Sequence, residues 1–224
     1  MEIIRKRKVK AQAAKPKPLQ REEEENNKPR QRLHRRKAAL IEISARHAYR
    51  RAFSEVTLLD AMGQFSFEEG HAYHFITAGD VDAMSYLKAV LRAQDLDHLI
   101  VSTWVISGED ILELREWLAE GKIKKLDMYV GEIFPTSYKV EWAMLEELFA
   151  DDGKLTGGGR LAHFRNHSKI IAGVGSRFAF GCELSANFCT NPRTENAVLT
   201  VDKGLYTFYK EYFDGIVSFE YGKI

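Results

Sequence analysis

The stretch "RNHSKIIAGVG" (residues 165–175) places His167 and Lys169 two positions apart at the head of an alternating apolar run. Ser185 and Asn187 follow, again two apart, and Glu195 comes after them. If residues 166–174 form a strand, His167 and Lys169 project to one side, because alternate strand residues share a face. A lysine ammonium is a point charge suited to phosphate, and an Asn amide and a Ser hydroxyl donate to phosphate oxygens. An imidazole beside them serves as nucleophile or general acid. A carboxylate on its other nitrogen fixes the tautomer. Together these are the parts of metal-independent phosphodiester cleavage. Arg165 and Arg193 flank the group and either touch phosphate or lie on solvated surface. Trp104, after Thr103, either borders the site or packs in the core. His163 precedes His167 by four residues, but no third ligand at metal spacing accompanies the pair, so no metal site is expected. Gly157–Gly159 has no following Gly-Lys-Ser/Thr, which makes it a turn rather than a nucleotide loop. Cys182 and Cys189 read as buried thiols.

"HSK" followed by "SAN" and "NPRTEN" resembles the half-motif of the phospholipase D-like superfamily, a His-x-Lys with a downstream Ser-x-Asn. Within it, the chain is similar to single-motif members among phage and bacterial nucleases. The resemblance covers residues 160–200. It implies that His167 is the phosphohistidine-forming nucleophile or its general-acid partner. It likewise implies that Lys169 and Asn187 bind the phosphate, that Ser185 is an auxiliary donor, and that Glu195 holds the imidazole. No cofactor is implied. Two departures stand out. The motif often carries an Asp five residues after its Lys, where this chain has Val174. The Gly-Ser element is present only as Gly181-Cys182, displaced from Ser185. Of the seven His, only His167 has a Lys two residues on. Superfamily sites use two such half-sites, so the resemblance implies a homodimer with the site across its two-fold axis.

The elements that must position these residues show a strand–helix alternation. Residues 72–77, 98–104 and 123–133 read as strands. Residues 79–94, with Asp80 as N-cap, the segment "GEDILELREWLAEG", stopped by Gly121, and "TSYKVEWAMLEELFADDG" read as helices. After Gly159 come short adjacent strands, a strand at residues 195–201, and an aromatic helix whose Tyr206, Tyr209 and Phe213 read as core. The expected class is α/β, with a phospholipase D-like mixed sheet flanked by helices. Residues 35–59 have helical spacing, which makes 38–70 a helical linker ahead of a domain spanning 71–224. Residues 1–37 are poor in apolar side chains and read as a disordered extension.

The net charge of +1 conceals an asymmetry. Residues 1–54 hold 17 Lys/Arg against 6 Asp/Glu, leaving 16 against 26 in the remainder. A basic arm on an acidic body points to a polyanionic partner, either nucleic acid or an anionic membrane surface; of these, nucleic acid, DNA foremost, is the expected partner. No apolar run reaches the ~18 residues of a membrane span, and no apolar segment follows the first charges, so neither a span nor a secretory signal is expected. Asn166-His167-Ser168 matches a glycosylation acceptor, which carries no weight without secretion. Two Cys in a chain of 224 residues fit a reducing, cytoplasmic setting. The expected function is an endonuclease-like hydrolase acting on DNA or RNA. The alternative is a phospholipase D-fold protein that binds nucleic acid or supports assembly without cleaving.

Overall fold

In the computed structural model, residues 46–52, 54–78, 81–189 and 193–218 are described. They form one eight-stranded mixed sheet with helices on its two faces. The strands are β1 (Arg46–Ala52), β2 (His71–Thr77), β3 (Leu96–Ser102), β4 (Leu126–Gly131), β5 (Leu161–Phe164), β6 (Ile170–Gly175), β7 (Ala179–Leu184) and β8 (Glu195–Val201). The helices are α1 (Glu55–Met62), α2 (Ala83–Ala93), α3 (Gly108–Ala119), α4 (Phe134–Ser137), α5 (Lys139–Leu148), α6 (Ala150–Gly153) and α7 (Lys203–Asp214). The sheet order is β1-β2-β8-β7-β6-β3-β4-β5. The β1–β2, β3–β4 and β4–β5 pairs are parallel, and the others are antiparallel.

This order decides where the chemistry sits. The early strand–helix units build the two flanks, and the later β6-β7-β8 meander inserts between β2 and β3. The residues singled out between 165 and 196 therefore fall at the centre of the sheet. The β6–β7 hairpin is tied down by the buried Gln94 at the end of α2. Its Oε1 accepts from the backbone N–H groups of Arg177 (3.0 Å) and Phe178 (3.1 Å), and its Nε2 donates to the Phe178 carbonyl (2.9 Å).

The core lies mainly between the sheet and α1, α2 and α3. Alternation along β2 turns Tyr73, Phe75 and Thr77 inward, and Phe75 meets Tyr86 of α2 edge-on at 5.4 Å. Leu87, Leu99, Leu114 and Leu126 are fully enclosed, each worth roughly 1.5–3 kcal/mol of burial. On the other face α7 packs against β6 and β7. Its Tyr206, Tyr209 and Phe213 are buried, in agreement with their reading as core. Arg160 holds the end of α7, donating to the carbonyls of Asp214 (2.7 Å) and Ile216 (2.6 Å).

Three expectations are corrected. Residues 46–52 are a strand parallel to β2 rather than part of a helical linker, and among the described residues of that stretch only Glu55–Met62 is helical. "RHAYRRA" alternates as well as it coils, and an open edge on β2 lets pairing override its helical spacing. The N-cap of α2 is Asp82, whose side chain accepts from the Ser85 N–H, while Asp80 lies outside the described residues. Residues 166–169 precede β6 instead of belonging to it. The expected disordered extension at 1–37 also lies outside the described residues. Among the described residues no helix is long and apolar enough to cross a membrane.

Candidate functional site

The segment Arg165–Lys169 links β5 to β6, and its geometry is set by Asn166. This side chain is buried, and its Nδ2 donates to Ser102 Oγ (2.9 Å) and to the carbonyls of Thr103 and Tyr129 (3.2 Å each). Its Oδ1 accepts from the Ser168 N–H (3.0 Å) and the Ser168 hydroxyl (2.7 Å). Ser168 and Ser102 hydroxyls are 2.7 Å apart. Asn166 thus fastens the segment to the ends of β3 and β4, with Ser168 as its neighbour. The intervening His167 is left exposed.

Lys169 is only 9% exposed. Its Nζ donates to the His167 carbonyl (2.9 Å) and stands 3.0 Å from Nδ1 and 3.4 Å from Nε2 of the His167 ring. The two side chains that the spacing brought together are in contact, although a folded-back loop rather than a strand joins them. Burial pulls the Lys169 pKa down from its ordinary value, while Glu195 and Cys189 act in the opposite direction. Glu195 therefore stands in the electrostatic neighbourhood of Lys169. Its carboxylate accepts the Ser185 hydroxyl, and Ser185 also caps the Asn196 N–H (2.9 Å). The expected Glu195–imidazole bond is not formed; Lys169 is the ring's hydrogen-bond partner in its place.

Asn187 enters from the opposite side. Its Oδ1 accepts from Thr103 Oγ1 (3.3 Å), which places it beside the β3 end that also carries Trp104. The backbone around it is pinned by two helix N-termini. Ala83 of α2 donates to the Asn187 carbonyl (3.3 Å), and Ser107, the N-cap of α3, donates to the Phe188 carbonyl (2.7 Å). The site thus opens where β3 ends and two helices begin, the usual place for a ligand in an α/β sheet. Arg165 and Arg193 are both exposed at this end.

Beneath lies an acidic layer that the sequence reading missed. Asp82 and Asp110 are both more than nine-tenths buried at the starts of α2 and α3. Burial first, and then the Asp82 charge, push the Asp110 carboxyl up to about 6. Its Oδ2 has no hydrogen-bond partner. Burial, Asp110 and Asp82 also raise the Cys189 thiol. Cys182 is buried and Cys189 half-buried, both as free thiols. His163, which invited a metal reading with His167, packs edge-on against Trp142 at 5.3 Å. Among the described residues no group of three or more His, Cys, Asp or Glu is arranged to hold a metal.

Asn166, Ser168, Ser102 and Thr103 were passed over in the sequence. Asn166-x-Ser168 interleaved with His167-x-Lys169 was the available signal. The buried Asn166 also disposes of the glycosylation pattern. Val174 pairs with His98 on β3, and the buried polar groups at that end of the sheet come from β3, β4 and α7. His98 bonds Asp127 (2.9 Å) and Tyr206 (2.7 Å).

No family model matches the chain, and no curated protein matches it. Among solved structures it is similar to TrmBL2, an archaeal chromatin protein described as showing a novel mode of DNA binding. The identity is 13%, the TM-score 0.43, and the match covers 70% of this chain and 56% of that one. The chain thus spans little more than half the length of that protein.

Proposed function

We propose that the chain is a metal-independent phosphodiesterase of the phospholipase D-like kind, a nuclease acting through a phosphohistidine on His167. The observation that carries this reading is the 3.0 Å contact of the buried Lys169 ammonium with His167 Nδ1. The Lys169 ammonium thus stands beside the ring, where a phosphate oxygen brought to His167 meets its charge. An arriving phosphate draws Lys169 off the ring, and with the ring proton on Nδ1 the Nε2 lone pair is free. Nε2 then attacks phosphorus and the bond to the leaving oxygen breaks. His167 of a second copy, as the imidazolium, gives that oxygen its proton and becomes neutral, so the working form is a homodimer. Water, giving its proton back to that second ring, attacks the adduct, and the P–N bond breaks. Lys169 and Asn187 neutralise the non-bridging oxygens. Glu195 opposes the effect of burial on Lys169, with Ser185 holding the carboxylate in place. The excess of Lys and Arg in residues 1–54 favours nucleic acid over phospholipid as the polyanion, and free thiols suit a cytoplasmic setting.

The test is to mix the chain with an internally ³²P-labelled oligonucleotide in EDTA, quench in alkaline detergent and look for label on the protein. Label on the parent and none on His167→Ala is expected. Cleavage proceeding without any trapped label contradicts the covalent step. A second reading, nucleic-acid binding without cleavage, is favoured by Val174 in place of the Asp. It predicts salt-sensitive binding with neither label nor product.

A further inference from the structure

We infer that Trp104 is the stacking platform for the nucleobase next to the scissile phosphate, and that the substrate is a single strand lying across the strand ends from His167 over Trp104 to Arg165. The inference rests on the reading of His167 as the phosphate site, and it adds what the site recognises besides phosphate.

Three observations carry it. The first is position. The Trp104 ring lies 5.4 Å from the His167 ring, tilted by 43°. Trp104 is half-buried, whereas Trp117 is enclosed in the core at 8% exposure. An indole whose ring centre stands this close to the imidazole borders the space open to the sugar and base attached to a phosphate on His167.

The second is rigidity. Thr103 is fixed on every side: its N–H donates to the Tyr129 carbonyl (3.0 Å), its hydroxyl to the Val105 carbonyl (2.8 Å), and its own carbonyl receives Asn166 Nδ2. The Trp104 carbonyl accepts from the Gly131 N–H (3.2 Å). The indole then crosses the end of β4 so closely that a Cβ on Gly131 would stand 2.5 Å from its Cδ1. A ring held this way loses little further freedom when a base stacks on it, which is what a binding surface requires.

The third is the order of the strand ends. β6, β3, β4 and β5 are neighbours in that sequence. His167 precedes β6, Trp104 follows β3, and Gly131 closes β4 in register with Phe164 at the end of β5. Arg165 comes next and is exposed. Two strand spacings separate the ends of β3 and β5, about 10 Å, a span that one nucleotide and an arginine side chain cover together. The line reads phosphate, base, phosphate. A base available for stacking on a fixed ring must be unpaired, which selects a single strand.

The experiment compares the affinity of the full-length chain for dye-labelled oligo(dT) and for an abasic oligodeoxynucleotide of equal length. Contacts to phosphate alone, including any from the basic N-terminal residues, contribute equally to both. One stacked base corresponds to roughly 5- to 150-fold in affinity, so oligo(dT) should bind at least about fivefold tighter. Trp104→Leu should bring oligo(dT) down to the abasic level and leave abasic binding unchanged. Trp104→Tyr should retain most of the preference. Arg165→Ala should weaken both oligonucleotides alike. Equal binding of the two by the parent overturns the inference, as does a folded Trp104→Leu that weakens both equally. If Trp104→Leu does not fold, tryptophan emission of the parent decides: quenching by oligo(dT) but not by the abasic strand is expected, and equal effects overturn it. Absence of cleavage in EDTA counts against the phosphodiesterase reading and leaves this comparison intact.

Discussion

Replacing Asn166 by Ala tests whether the site is positioned as described. Of the groups bonded to Asn166, the Tyr129 carbonyl keeps the Thr103 N–H, and Ser102 Oγ keeps Ser168 Oγ. The Thr103 carbonyl and the Ser168 N–H lose their partner. Two polar groups left unsatisfied in a mostly buried setting cost about 1–3 kcal/mol each, so the expected loss is about 2–6 kcal/mol. With a urea m-value of about 2 kcal/mol/M, the unfolding midpoint should fall by about 1–3 M at unchanged slope. Asn166→Asp keeps the acceptor toward Ser168 but turns an oxygen toward two carbonyls, and should cost at least as much at neutral pH. His167→Ala, at an exposed position, should change stability by less than about 0.5 kcal/mol. Urea titrations followed by circular dichroism measure all three. An Asn166→Ala midpoint within about 0.3 M of the parent refutes the view that this residue fastens the segment.

Other outcomes follow from the same geometry. The Asp110 carboxyl, raised to about 6 in the fold, ionises at a cost as pH climbs from its unfolded value near 4. The penalty is complete above about 6 and reaches at most about 3 kcal/mol. Asp110→Asn should therefore stabilise the chain at pH 8 and gain little at pH 4.5; a pH-independent difference in urea titrations contradicts this. In Gly159→Ala the new Cβ would stand 1.7 Å from the Leu126 carbonyl oxygen, so a loss of about 3 kcal/mol or more is expected, and a melting temperature equal to the parent's would refute it. Sedimentation should give a dimer at concentrations where cleavage is observed, and a fully active monomer would remove the need for a second His167.

Much of the architecture was legible because periodicity is a local signal. Met84, Leu87 and Val90 mark α2, the run at residues 98–102 marks β3, and Gly121 lies just beyond α3 with positive φ. Strand order was not legible. Nothing in residues 170–201 says that they insert between β2 and β3, since that follows from which edges are left open once the sheet assembles. β1 was misread for a related reason: Arg46–Ala52 satisfies two periods, and the β2 edge selects between them. At the site, the two-residue spacing brought His167 and Lys169 together correctly, but their contact depends on Asn166, whose acceptors come from β3 and β4. The pairing of Glu195 with Ser185 instead of the imidazole reflects the β7–β8 register, where the Ser185 N–H meets the Asn196 carbonyl at 3.0 Å. The acidic layer was hidden because Asp82 and Asp110 lie on different helices and meet only through the fold.

The central claim is that His167 performs metal-independent phosphodiester cleavage. It is tested most directly by the rate at which the parent and His167→Ala cut a labelled oligonucleotide in excess EDTA. Cleavage by the parent is expected at a rate unaffected by EDTA, with a fall of about 10³-fold or more in His167→Ala. Cleavage that requires added divalent metal, or a His167→Ala rate equal to the parent's, would contradict it.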